Sequence, residues 1–158
     1  MAGFDASEVF QFAIRIEENG EAFYLGAVQR LTDDVARQTF KYLAEQEVAH
    51  KKVFKGMLDK FGSYQPPETY ADEYYAYLKA YVDGIIFSKD KLDAVLGSLG
   101  GTVEALEFGI QREIDSILYY LEMKRFVPES EQAQVDRIIE EERKHFLKLT
   151  GLKKNYQN

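Results

Sequence analysis

The chain has 158 residues, 46% of them hydrophobic, which suits one ordinary domain able to bury about 70% of its unfolded surface. It contains no cysteine, so disulfide frameworks, thiolate zinc sites, iron–sulfur clusters and thiol catalysis are excluded within these residues. A net charge of −7 argues against a nucleic-acid partner, which requires a basic stripe.

Prolines occur only at 66, 67 and 128, and they divide the chain into long proline-free stretches of the kind that form long helices. Asp5 and Glu8 open the first, with Phe10, Ala13, Ile14, Phe23 and Tyr24 among its apolar positions, and it continues to Leu31. There is no basic leader and no apolar run of membrane-spanning length, so neither a signal peptide nor a membrane segment is expected, and a cytoplasmic setting is. Thr32 and Asp33 cap a second helix that reaches about Phe61. A connection over 62–101 follows, in which Tyr70, Tyr74, Tyr77 and Tyr81 mark one face of a short helix. That face is read as packing against the bundle or a second subunit, and a homodimer is expected. A third long helix runs from about Thr102 to about Phe126, and a fourth from 128–130 to Thr150, where Gly151 is expected to stop it. The expectation is an all-α four-helix bundle, one domain over 1–158: a helical hairpin at 5–61, a crossover at 62–101 long enough to run the height of the bundle, and a second hairpin at 102–150.

The two hairpins resemble each other. Phe12 to Glu17 with Phe23 and Tyr24 recurs as Phe108 to Glu113 with Tyr119 and Tyr120, and Tyr42 to His50 recurs as Arg137 to His145. Both histidines of the chain close a Glu-x-x-His: Glu47 with His50, and Glu142 with His145. Residues equally far from a hairpin turn sit at one height, and Glu17 and Glu47 each lie 15 positions from Thr32. Glu113 and Glu142 are likewise centred on the turn at Val127 and Pro128.

Facing agrees with height. Glu17 shares its helix face with Phe10, Ile14 and Tyr24, Glu47 with Phe40, Leu43 and Phe54, Glu113 with Leu106, Ile110 and Tyr120, and Glu142 with Ile138, Ile139 and Leu149. Four inward carboxylates would repel one another and lose hydration, and two divalent cations would cancel that charge. A Glu from each of two helices plus Glu-x-x-His from each of the other two is the donor pattern of di-iron and di-manganese bundles. The expected ligands are therefore Glu17, Glu47, His50, Glu113, Glu142 and His145, with Glu21, one turn beyond Glu17, as an accessory. Glu18, Glu104, Glu107, Glu140 and Glu141 fail the facing test and are assigned to solvent.

Through Glu17 with Tyr24, Glu47-x-x-His50, Glu113 with Tyr120, and Glu142-x-x-His145, the chain resembles the rubrerythrin family of the ferritin-like superfamily. The resemblance implies a ferritin-like fold and two iron ions that cycle between diferrous and diferric states while reducing hydrogen peroxide. It also implies that Tyr24 and Tyr120 donate hydrogen bonds to carboxylates. The family's cysteine-ligated rubredoxin module has no counterpart within these residues, so electrons would come from a separate rubredoxin-type donor or reductase. Ser116 stands where the family has a further glutamate, mirrored by Gly20.

Three functions use these ligands: an oxidoreductase acting on peroxide or oxygen, an iron-binding or ferroxidase-like store, and a bundle held together by metal without turnover. Manganese and zinc suit the same donors.

Overall fold

The computed structural model describes residues 6–65 and 72–157, which leaves Asp5, Pro66, Pro67 and Tyr70 outside. The described residues are all-α: α1 (Ala6–Val28), α2 (Asp34–Phe61), α3 (Asp72–Ile85), α4 (Lys89–Ser98), α5 (Thr102–Met123) and α6 (Glu129–Lys154).

The turn between α1 and α2 is built from backbone and one side chain. The amides of Arg30 and Leu31 both donate to the Ala27 carbonyl, which ends α1 three residues before Leu31. Asp33 then caps α2, its carboxylate accepting the Ala36 amide at 2.8 Å. Between α5 and α6 a single 3-10 turn, Lys124–Phe126, leads into Val127 and Pro128.

Helix directions follow from three contacts between α1 and α5. Tyr24 reaches Glu113, Tyr120 reaches Glu17, and Tyr119 donates to the Val9 carbonyl at 2.8 Å. Rising numbers on one helix meet falling numbers on the other, so the two are antiparallel. On the opposite side His50 meets Glu141 and Tyr42 meets His145, so α2 and α6 are antiparallel as well. Helix α2 therefore runs parallel to α5, which requires the crossover to return the chain along the bundle.

The crossover differs from the expectation of one short helix, for it contains two. Ser88 accepts the Lys91 amide at 3.2 Å and starts α4, which buries Leu92 and Leu96 four residues apart. Gly26 on α1 makes room for Leu96, because a Cβ there would collide with its side chain. In α3, Tyr81 donates to the Asp115 carbonyl at 2.8 Å and Tyr74 bonds Glu122, so these two tyrosines pack on α5, while Tyr77 is exposed.

The end of α6 also differs. The helix passes through Gly151 and continues to Lys154. Gly151 is exposed and costs a helix interior only about 1 kcal/mol, whereas Leu152 and Tyr156 beyond it pack on the core. Lys153 and Lys154 in the last turn favour the helix dipole.

The core is split into two apolar clusters. One contains Phe10, Phe54, Tyr119, Met123 and Ile139, and the other Phe23, Phe40, Leu43, Leu106 and Leu149. Each of the four long helices contributes to both, so each passes through a band between them. Among the described residues no helix is long and apolar enough to cross a membrane.

Candidate metal centre

That band holds the six expected ligands. Glu17, Glu47, His50, Glu113, Glu142 and His145 are each no more than 4% exposed. Ionisable side chains at such burial need partners or a cation. Their ligand atoms form two overlapping groups: Glu17, Glu47, His50 and Glu142, and Glu47, Glu113, Glu142 and His145, with every chosen atom within 4.8 Å of the others in its group. Glu47 and Glu142 belong to both. The arrangement thus offers two positions, each with one glutamate and one histidine of its own and two glutamates shared.

Hydrogen bonding shows what the centre is suited to hold. Glu17 Oε2, Glu47 Oε1, His50 Nδ1 and Glu142 Oε1 are buried without a hydrogen-bond partner. Native proteins seldom leave such atoms unpaired. His50 Nδ1 and Glu142 Oε1 lie only 2.7 Å apart, a pair that only a proton or a cation between them can satisfy. A carboxylate can only accept, and the His50 Nε2–H is already directed to Glu141 Oε2 at 2.6 Å. In the neutral ring Nδ1 therefore turns a lone pair toward the carboxylate oxygens, and without metal a proton is held there instead. Lone pairs converging on one point are a cation's donor set, so the residues fit a pair of divalent ions.

Two tyrosines fix the unshared glutamates from across the bundle. Tyr24 on α1 donates to Glu113 Oε1 on α5 at 2.5 Å, and Tyr120 on α5 donates to Glu17 Oε1 on α1. Burial, followed by the neighbouring carboxylates, raises both phenols well above their ordinary range, so they remain donors.

Without metal the centre relieves its charge by holding protons. Burial, then repulsion from Glu17, Glu142 and Glu113, raises Glu47 well above the usual carboxylate range. Burial and Glu142 raise Glu113 in the same way. Burial opposes a charged imidazole, but Glu142 and Glu17 outweigh it at His50 and raise it to about 12. At His145 burial is likewise outweighed, by Glu113 and Glu142, giving about 9. Glu142 is lowered despite its burial, because Glu113 and both imidazoles favour its charged form.

On the side opposite the histidines, a cavity of about 10 Å³ lies against Glu47 and Glu113, lined also by Gly20, Ser116 and Arg112. That is room for about one water-sized molecule. Gly20 keeps it open, since a Cβ there would stand 2.5 Å from Glu47 Oε2. Arg112 is held by the Ile85 carbonyl and Asp115, both at 2.6 Å, while its buried Nε has no partner. Asn19 lines both this cavity and a surface cleft of about 250 Å³ that also includes Arg15, Phe87 and Lys89.

Two acidic residues sit differently from expectation. Glu21 is outside both ligand groups and pairs with Lys51 at 3.0 Å. Glu141, assigned to solvent by its helix phase, is only 38% exposed and reaches His50. Its position beside Glu142, on the edge of the inward face, was the available signal: a long side chain there can reach around to the next helix. Glu104, Glu107, Glu140 and Glu18 are exposed.

The rubrerythrin family model matches residues 8–153. Among solved structures, a Thermotoga maritima protein provisionally described as a ferritin-like diiron-carboxylate protein is similar, with 28% identity and a TM-score of 0.71. The similarity covers 98% of this chain and 97% of that one. A search of curated proteins gives no match. The family match over nearly the whole chain, the ferritin-like bundle and the paired Glu and Glu-x-x-His donors agree, and the chain belongs to the rubrerythrin family.

Proposed function

We propose that this chain holds two iron ions between Glu17, Glu47, His50, Glu113, Glu142 and His145, and that it reduces hydrogen peroxide with electrons from a separate donor protein. The observation that carries this reading is the set of unpartnered buried oxygen and nitrogen atoms at the centre of the bundle, in two groups that share Glu47 and Glu142. A ferrous pair bound there supplies two electrons, which with two protons convert one hydrogen peroxide to two waters.

The protein's own residues define the conditions for that chemistry. Tyr24 and Tyr120 hold Glu113 and Glu17 in place, so the donor set needs little rearrangement. The apolar clusters above and below exclude bulk water. The cavity beside Glu47 and Glu113 provides room for about one water-sized molecule next to two of the ligands. With no cysteine in the chain, no thiol or cluster here can relay electrons, so a rubredoxin-type protein or reductase is the expected donor.

The test is anaerobic loading with ferrous iron followed by stopped-flow mixing with peroxide and, separately, with oxygen. About one peroxide should be consumed per site before the reaction stops, and an added donor should restore turnover. A ferrous site unreactive toward peroxide but reactive toward oxygen would favour a ferroxidase. Inertness to both would favour a structural role for the metal.

A further inference from the structure

The two halves of the centre repeat each other ligand by ligand, and the partner behind one histidine breaks the repeat. Glu17, Tyr24, Glu47 and His50 correspond to Glu113, Tyr120, Glu142 and His145. Each half contributes one tyrosine-held glutamate, one glutamate common to both ligand groups and one histidine. Behind the histidines the symmetry ends. His50 Nε2 lies 2.6 Å from Glu141 Oε2. Among the described residues the carboxylates within 4 Å of His145 are Glu113 and Glu142, both on its Nδ1. The repeat counterpart of Glu141 is Gln46, and the Tyr42 ring stands perpendicular to His145.

A carboxylate that accepts the N–H of an imidazole fixes the ring's tautomer and orientation and makes its other nitrogen a stronger donor. Glu141 does this for His50, whose Nδ1 faces Glu17 and Glu142. The remaining donors of the two positions are matched, so the difference falls on the imidazoles. We infer that Glu141 makes the position formed by Glu17, Glu47, His50 and Glu142 the tighter of the two, so that it fills first and the His145 position second. This rests on reading the cluster as a two-metal centre. Losing such a partner weakens metal binding about 10- to 100-fold, and a preference of that size between the positions is expected here.

Manganese(II) serves as the probe, because partial occupancy can be located by anomalous diffraction and coupling between the two ions is visible in the electron paramagnetic resonance spectrum. At saturation, calorimetry should count two ions per chain. Failure there would reject the two-metal reading, independently of any order of filling. At one equivalent, the anomalous signal should lie mainly at the His50 position, with a predominantly uncoupled resonance spectrum. Glu141→Gln should bring the two occupancies close to equal while two ions still bind at saturation. The double variant Glu141→Gln with Gln46→Glu should favour the His145 position. A structural role for Glu141 alone would not redistribute the ions, and the circular dichroism of each variant shows whether it is folded. Equal occupancy in the unaltered protein, or an occupancy ratio unchanged by Glu141→Gln, would overturn the inference.

Discussion

Helix α2 buries Phe40 near one end of the bundle and Phe54 near the other, both fully, and between them it buries Glu47 and His50 almost as completely. The two kinds of burial act in opposite directions. Phe40 and Phe54 leave water for an apolar surrounding, and their burial contributes to holding the helices together whatever the bundle binds. Glu47 leaves water for a site crowded with other carboxylates, and its burial opposes folding until a proton or a cation arrives. The middle of the bundle is therefore shaped for binding, and the ends provide the stability that lets it be so.

The largest effect that would sharpen this contrast belongs to an end. Phe54→Ala should cost about 3–5 kcal/mol, by a similar amount in metal-free and metal-loaded protein, as read from denaturant unfolding. A cost that depended strongly on metal would mean that the ends and the middle are not separable. Glu47→Leu should do the reverse in the middle. It removes a buried acid without stranding either tyrosine, so the metal-free protein should gain about 1–3 kcal/mol while losing the binuclear site. Destabilisation of the metal-free form would break the contrast.

A pair of alanine variants tests the phase of α5. Glu113→Ala should lower the metal count at saturation, since Glu113 is buried in a ligand group, whereas Glu104→Ala, on the exposed face, should leave it unchanged. Elemental analysis after reconstitution reads both.

The pH dependence is subtler. His145 is raised to about 9 in the folded, metal-free protein, against about 6.5 unfolded. Its contribution to stability is therefore complete below about pH 6.5 and is lost as pH rises through about 9. His50 acts in the same direction at higher pH, and the raised Glu47 and Glu113 act from lower pH upward. The metal-free protein should accordingly melt at lower temperature as pH is raised from 6 to 10. The loaded protein should change less, because bound cations replace those protons. Parallel melting curves for the two forms would contradict the assignment of protons to the empty centre.

The sequence carried most of this architecture because height and facing are both countable. Equal distances from Thr32 and from the Val127–Pro128 turn put the glutamates at one level, and their apolar neighbours three and four residues away turned them inward. What escaped depended on reach and tertiary cost. Glu141 lies outside the inward face by helix phase, but a glutamate side chain is long enough to reach His50. The start of α4 was legible in Ser88 followed by Leu92 and Leu96, a cap and a four-residue apolar spacing, yet the tyrosines of α3 gave the stronger pattern. Gly151 was overruled by residues beyond it: Leu152 and Tyr156 have a surface to pack on, and a local preference of about 1 kcal/mol does not end a helix against that.

Tyr156 has a consequence for the order in which the molecule assembles. Its hydroxyl bonds Asp33, the residue that caps α2 and closes the turn of the first hairpin. That hairpin can form from neighbouring segments as they leave the ribosome, but this clasp waits for a partner made 123 positions later. A contact with so long a loop to close is expected to form late, after the folding barrier has been crossed. Tyr156→Phe is therefore expected to quicken unfolding and leave the folding rate nearly unchanged. The clasp would then act as a late latch on the first hairpin, governing how long the assembled bundle persists and having little part in how fast it is reached.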